Sequence, residues 1–148
     1  MIKLSRLACY GVVILAEMAD GQELRTASGL SEKTGLPEPT VAKVLKLLSK
    51  DGFVNSSRGV RGGYTLEKSP ESISVADIVT ALDGPIALTG CVDGKQENCR
   101  LEGICALRGC WDDINHAVRA ALESQKLSSV LARRRYGDSD IASFMQAE

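Results

Sequence analysis

The alternation of apolar and polar positions predicts a helical first part, a short extended pair, and a second helical part interrupted by a stretch without period. From about Leu4 to Ala19 the chain is apolar nearly all round, with Leu4, Leu7, Ala8, Val12, Val13, Ile14, Leu15 and Met18. A helix lacking a broad polar face is usually buried on several sides. In a small protein this one is expected to pack against its own domain and a partner subunit, with Gly21 stopping it. A second short helix is expected from about Ser28 to Thr34, broken by Gly35-Leu36-Pro37. The third is better marked. Pro39 suits a first-turn position and Gly52 the left-handed position past the end. Val41, Val44, Leu45 and Leu48 form one stripe at i, i+3, i+4, i+7, leaving Thr40, Lys43, Lys46 and Lys50 off it.

Two extended segments follow, Phe53-Val54-Asn55-Ser56 and Gly63-Tyr64-Thr65-Leu66. They flank Ser57-Arg58-Gly59-Val60-Arg61-Gly62, a glycine-rich tip with two arginines, which predicts a hairpin. Beyond it Ser74 and Asp77 have capping-box spacing, and Ile73 with Ile78 has the spacing of a hydrophobic staple. The helix they open carries Val75, Ile78, Val79 and Leu82 and ends at Gly84-Pro85. Residues from about Leu88 to Arg108 lack periodicity and read as a loop. From about Cys110 to Gln125 the helical stripe returns with Ile114, Ala117, Val118, Ala121 and Leu122. A dimerisation helix is its natural use, a core helix the plainer one. The tail from about Ala132, with three arginines and then Gly137-Asp138-Ser139-Asp140, is expected to be weakly ordered.

The order helix, short helix, turn, helix, basic hairpin predicts a mainly α protein with a small β-hairpin wing: a winged helix-turn-helix head plus a long dimerisation helix. The expected divisions are 1–84 for the head, 85–109 for a cysteine-rich loop, 110–131 for the dimerisation helix and 132–148 for the tail. No apolar run approaches the roughly 18 residues of a membrane span, and the N-terminus lacks the form of a secretory signal. A cytoplasmic protein without a membrane partner is expected.

A net charge of −1 does not advertise a nucleic-acid binder, but its distribution says more. Residues 1–68 hold 10 Lys/Arg against 7 Asp/Glu, and residues 69–148 hold 8 against 12. Most of the positive excess lies between Thr40 and Lys68, a modest basic face of the kind that tracks phosphates; from charge alone a solvated helix face reads as well. The chain has 5 cysteines. Cys9 stands alone, while Cys91, Cys99, Cys105 and Cys110 crowd into twenty residues. In a cytosolic chain such crowding points to metal binding or redox activity rather than a disulfide framework.

These features together resemble the Rrf2 family of bacterial transcription regulators, which includes regulators of iron–sulfur cluster assembly and of nitric-oxide stress. The resemblance covers about Met1 to Leu131. Its marks are Leu4-Ser5-Arg6 with Tyr10 close behind, the turn region Ser31-Glu32-Lys33-Thr34-Gly35, the wing from Arg58 to Leu66, and a cysteine loop ahead of a tryptophan, Cys105 then Trp111. Within the family the chain looks most like the regulators of the SUF cluster-assembly operon.

In a helix-turn-helix the second helix of the pair enters the major groove with its N-terminal residues at base edges. Glu38, Pro39, Thr40 and Lys43 are therefore the recognition candidates, with Glu38 suited to accept from a cytosine amino group. On the wing, Arg58 or Arg61 would enter the adjacent minor groove, Ser56 and Ser57 would stand near phosphate, and Tyr64 is a further DNA-binding candidate. A homodimer would read a pseudo-palindromic double-stranded DNA operator.

The spacing Cys91-x7-Cys99-x5-Cys105 resembles the three-cysteine ligand set of cluster-binding members, with a first gap two residues longer than theirs. The resemblance implies an iron–sulfur cluster as cofactor, [2Fe–2S] favoured over [4Fe–4S]. The fourth ligand is open. Some relatives use a histidine where this chain has Arg108, which cannot ligate, and the only histidine is His116 in the long helix. Some relatives offer a carboxylate from the first helix of the other subunit, where this chain has Cys9. Cys9 is preferred, with Cys110 as the alternative; a small buried hydrophobe is the plainer role for Cys9.

The function so implied is a DNA-binding regulator that senses cluster status, or redox and iron stress, and controls cluster-assembly genes. The alternative is a zinc- or thiol-redox-dependent regulator of the same fold. An enzyme is not expected, since the sequence offers no nucleotide-binding glycine motif, no acid–base pair and no nucleophile with a histidine partner.

Overall fold

Helix α1 (Arg6–Ala19) begins one residue after Ser5, whose Oγ accepts from the Ala8 N–H at 3.0 Å and donates to Asp83 at 2.7 Å. That cap, rather than Leu4, sets the start of the helix in this computed structural model, which describes residues 3–90, 92, 105–106 and 109–134. Ala8, Gly11, Ile14, Leu15, Ala16 and Met18 turn inward. Cys9 and Val13, four residues apart and so on one side of the helix, stay exposed. The helix thus has apolar surface that the described residues leave uncovered. Glu17, a polar stop to the apolar run in sequence, is itself buried, with Lys33 at 3.5 Å.

Helix α2 (Ala27–Thr34) starts a residue earlier than its pattern suggests, because Thr26 caps it by accepting from the Gly29 N–H at 3.0 Å. It ends at Gly35, whose φ of 69° lies in the left-handed region that costs other residues dearly. Ser31 donates to the Leu36 carbonyl at 2.6 Å, fixing the turn into α3 (Glu38–Lys50). The expected stripe of α3 is fully realised: Val41, Val44, Leu45 and Leu48 are all 0% exposed. Gly52, at φ 72°, lets the chain leave the helix, and the Phe53 N–H then donates to the Leu48 carbonyl.

Strands β1 (Val54–Ser57) and β2 (Gly63–Leu66) form an antiparallel pair, with Val54 opposite Leu66 and Ser57 opposite Gly63. Arg25 adds a third rung, exchanging backbone hydrogen bonds with Tyr64 at 2.8 and 2.7 Å. The segment ahead of α2 is thereby stitched to the wing. A Cβ on Gly63 would come within 2.8 Å of the Arg25 carbonyl, so this approach requires glycine.

Helix α4 (Val75–Asp83) carries the complete capping box. The Asp77 N–H donates to Ser74 Oγ at 3.1 Å, and the Ser74 N–H donates back to the Asp77 carboxylate at 2.9 Å. Burial pushes the Asp77 carboxyl up, but the two hydrogen bonds from Ser74 and the nearby charges of Lys126 and Lys68 outweigh it. The carboxyl is held below its ordinary value. Ile73 and Ile78, the staple pair, both lie in the core. That core joins α1, α2, α3, Phe53 and Val54 with α4, and each fully buried aliphatic side chain stabilises it by about 1.5–3 kcal/mol. Gly11 is where α1 and α4 meet: a Cβ there would collide with the Leu82 side chain.

The stripe expected from about Cys110 to Gln125 forms one helix, and the 110–131 span given to dimerisation also reaches into a second. Helix α5 (Cys110–Ser124) ends where Gln125 turns extended, and α6 (Leu127–Arg134) follows. The break is held by backbone pairing with the head. The Val75 N–H donates to Gln125 at 2.8 Å and the Leu127 N–H to Ile73 at 2.9 Å, with Lys126 bridged to Ser74. Leu127, at 0% exposure, completes the head's core. The tail from residue 135 onward, expected to be weakly ordered, lies outside the described residues, while 132–134 belong to α6.

Candidate DNA interface and thiol sites

Burial of its apolar stripe leaves α3 one orientation. Glu38, Pro39 and Lys43 are then exposed and Thr40 is half-buried, all on the side facing away from the core or at the helix start. No side chain caps this N-terminus, and Pro39 lies in its first turn. Lys46 and Lys50 are also exposed along the helix.

The wing presents Ser56, Ser57, Arg58 and Arg61 to solvent. Its tip turns at Gly59, φ 116°, where the Gly62 N–H donates to the Gly59 carbonyl at 2.9 Å. Tyr64 differs from its neighbours. It is half-buried and packs against the core, so the wing's base rather than its tip holds the ring. Val60, between the two arginines, is fully exposed at 107%. Periodicity could not flag it, since a residue at a turn tip belongs to no stripe. Among the described residues Lys43, Lys46, Lys50, Arg58 and Arg61 form no ion pair, whereas Arg25, Lys33 and Arg119 do. Among the described residues the charges gathered by α3 and the wing are thus left without carboxylate partners, which suits a phosphate-tracking surface.

Cys9, Cys105 and Cys110 are free and exposed. The burial that would make Cys9 a packing residue is absent within the protomer. Cys91 and Cys99 lie outside the described residues, as does Arg108, and His116 is exposed on α5. No three potential metal ligands converge among the described residues. The donors at hand are soft, accessible thiols, which suit zinc, copper(I) or an iron–sulfur cluster.

Helix α5, which follows the cysteine loop, buries none of its residues. Trp111 and Ile114 are exposed at 37% and 42%. Its Asn115 side chain is half-buried. It accepts from the Leu88 N–H and donates to the Ile86 carbonyl, both at 3.0 Å, so it grips the stem of the loop.

A helix pair with a left-handed turn, an exposed recognition helix and a basic wing define a winged helix-turn-helix DNA-binding protein. The Rrf2 family profile, described as an iron-dependent transcriptional regulator, matches residues 4–133, and the chain belongs to that family. Its members are transcriptional regulators, not enzymes. The chain is 31% identical to the transcriptional repressor NsrR of Streptomyces coelicolor, over 89% of this chain and 88% of that protein. The structure of CymR, the global cysteine regulator of B. subtilis, superposes with a TM-score of 0.69 at 29% identity, covering 90% of this chain and 98% of that one. IscR of T. potens gives 0.67 at 25% identity, covering 93% and 91%. The protein is a DNA-binding transcriptional regulator, and none of its described helices is long and apolar enough to cross a membrane.

Proposed function

We propose that this regulator is a homodimer that senses cluster status, or iron and redox stress, through thiolates of Cys91, Cys99 and Cys105, with Cys9 as fourth donor and Cys110 as the alternative. The observation that carries this reading is the exposure of Cys9, Cys105 and Cys110. Free cysteine is among the most buried residue types, and its chemistry rather than its packing explains its presence on a surface. The family's iron dependence supports the same choice. When bound, an iron–sulfur cluster would supply a centre that responds to oxidant and iron supply, [2Fe–2S] favoured.

The chain's own residues would do the rest. Cys9 lies on the exposed side of α1 beside Val13, the side left for a partner subunit. Thiols from one protomer's loop and its partner's α1 would tie ligand state to dimer geometry. The stripe of α5 would form the remaining interface. Glu38, Thr40 and Lys43 would meet base edges or phosphates from α3, with Pro39 setting the helix start. Arg58 and Arg61 would enter the minor groove, with Val60 leading the tip, Ser57 near phosphate and Tyr64 bracing the wing. The regulated genes would be those for cluster assembly, read at a pseudo-palindromic operator.

Protein purified anaerobically from iron-replete cells should be coloured and contain iron and sulfide. The Cys91, Cys99 and Cys105 triple serine variant should be colourless and should no longer change operator affinity on oxidant treatment. Colourless, iron-free wild type would overturn the reading. A second reading, thiol or zinc sensing on the same fold, draws on the resemblance to a regulator named for cysteine. Metal analysis separates the two: zinc, or reversible disulfides without metal, would favour the second.

A further inference from the structure

The stem of the cysteine loop and the middle of α5 are far apart in sequence, yet one side chain joins them. The Ile86 carbonyl and the Leu88 N–H flank Ala87, and both turn toward α5. The Asn115 amide meets both at 3.0 Å, as a neighbouring strand would. Only an amide offers this pair of groups in one plane: a carboxylate cannot donate, and an aliphatic side chain can do neither. The grip spans 27 and 29 residues, and Cys91 follows Leu88 by three positions.

Helix α5 also lies alongside α4, with Val118 and Leu122 half-buried. None of its residues is buried and its N-terminus has no side-chain cap. At its far end Gln125 accepts from the Val75 N–H at 2.8 Å, inside the capping region of α4. Besides that packing, two polar links hold the helix, one at the loop stem and one at the head. Leu127, just beyond, is locked into the head's core.

We propose that Asn115 is the positioning residue that transmits a change at the loop's thiols to α5, and through Gln125 and Leu127 to the DNA-binding head. The inference rests on the loop being the sensing element, but not on the group it binds. A displaced stem pulls on α5 because the amide holds the stem at a fixed distance. Without the amide, stem and helix move independently and the head no longer registers the loop's state.

The test uses the full chain as wild type, Asn115→Leu and Asn115→Asp. Hydrogen exchange is read at residues 86–90 and along α5, and operator affinity is read with the loop thiols free, blocked by methyl methanethiosulfonate, or reconstituted with iron and sulfide. In Asn115→Leu the Leu88 amide should exchange about tenfold faster, while thermal unfolding stays cooperative. Blocking or reconstituting the thiols should change α5 exchange and operator affinity in wild type and leave both unchanged in Asn115→Leu. Asn115→Asp, which keeps the acceptor and loses the donor, should fall between. A full wild-type response in Asn115→Leu would overturn the proposal. Wild type that takes up no cluster, yet responds to thiol blocking only while Asn115 is present, would refute the cluster reading and leave the coupling standing.

Discussion

Helices α4 and α5 have similar apolar patterning and opposite fates. In α4, nine residues long, Ala76, Ile78, Val79 and Leu82 are buried; in α5, fifteen residues long, none is. The first is closed by a capping box and packs on α1. The second starts uncapped after Gly109, at φ 83°, and leaves Trp111 and Ile114 in water. The contrast teaches that an amphipathic stripe states that a face will be covered without naming the cover. For α4 the cover is the protomer's own core. For α5 the described residues give only partial cover, half-burying Val118 and Leu122 with α4 alongside, and a second copy is the proposed cover for the rest.

Five substitutions break or sharpen this contrast. Leu127→Ala, although it lies past α5, should destabilise the head by about 2–5 kcal/mol in chemical denaturation, as core truncations do. A loss below about 1 kcal/mol would show that the start of α6 is not part of the head. Ile114→Asp should do the reverse. Stability of the head should change by no more than roughly 0.5 kcal/mol, as at exposed sites. Self-association by sedimentation should weaken by about 2 kcal/mol, roughly thirtyfold, from lost apolar burial and a desolvated charge. An unchanged association constant would remove the α5 stripe from the interface.

Ser74→Ala should cost about 1 kcal/mol, because it opens the capping box and frees the backbone that pairs with Lys126. The box also has a pH signature. Asp77 is held below its ordinary value near 3.8, so its contribution is complete above that value and is lost as pH falls through the lower folded value. Asp77→Asn should remove this acid-side decline; an identical pH profile would mean that the carboxylate contributes nothing. Last and smallest, Arg61→Ala should weaken operator binding a few-fold and lower the slope of log affinity against log salt by about 1. An unchanged slope in a titration would take this arginine out of the footprint.

Much of the head was readable in advance because its signals are local. The stripe of α3, the left-handed glycines at 35 and 52, the Ser74–Asp77 box and the Arg58–Arg61 tip depend on neighbours within a few residues, where steric and hydrogen-bonding rules act directly. Helix starts were less legible. Ser5 and Thr26 set them by capping, one or two residues away from where apolar periodicity begins. The cysteines proposed as ligands stand out by spacing, but spacing could not say that Cys9 faces solvent.

By itself the sequence determined the kind of protein: period, turn residues and a basic tip admit little besides a winged helix-turn-helix. Tertiary structure alone decided that Leu127 belongs to the head, that Arg25 pairs with Tyr64, that Glu17 is buried with Lys33 beside it, and that Asn115 grips the loop stem. Each is a contact between distant residues. Such contacts form only after the local elements have packed, since the entropy of closing long loops is repaid by the assembled core and not by any one residue. No local pattern carries their signature.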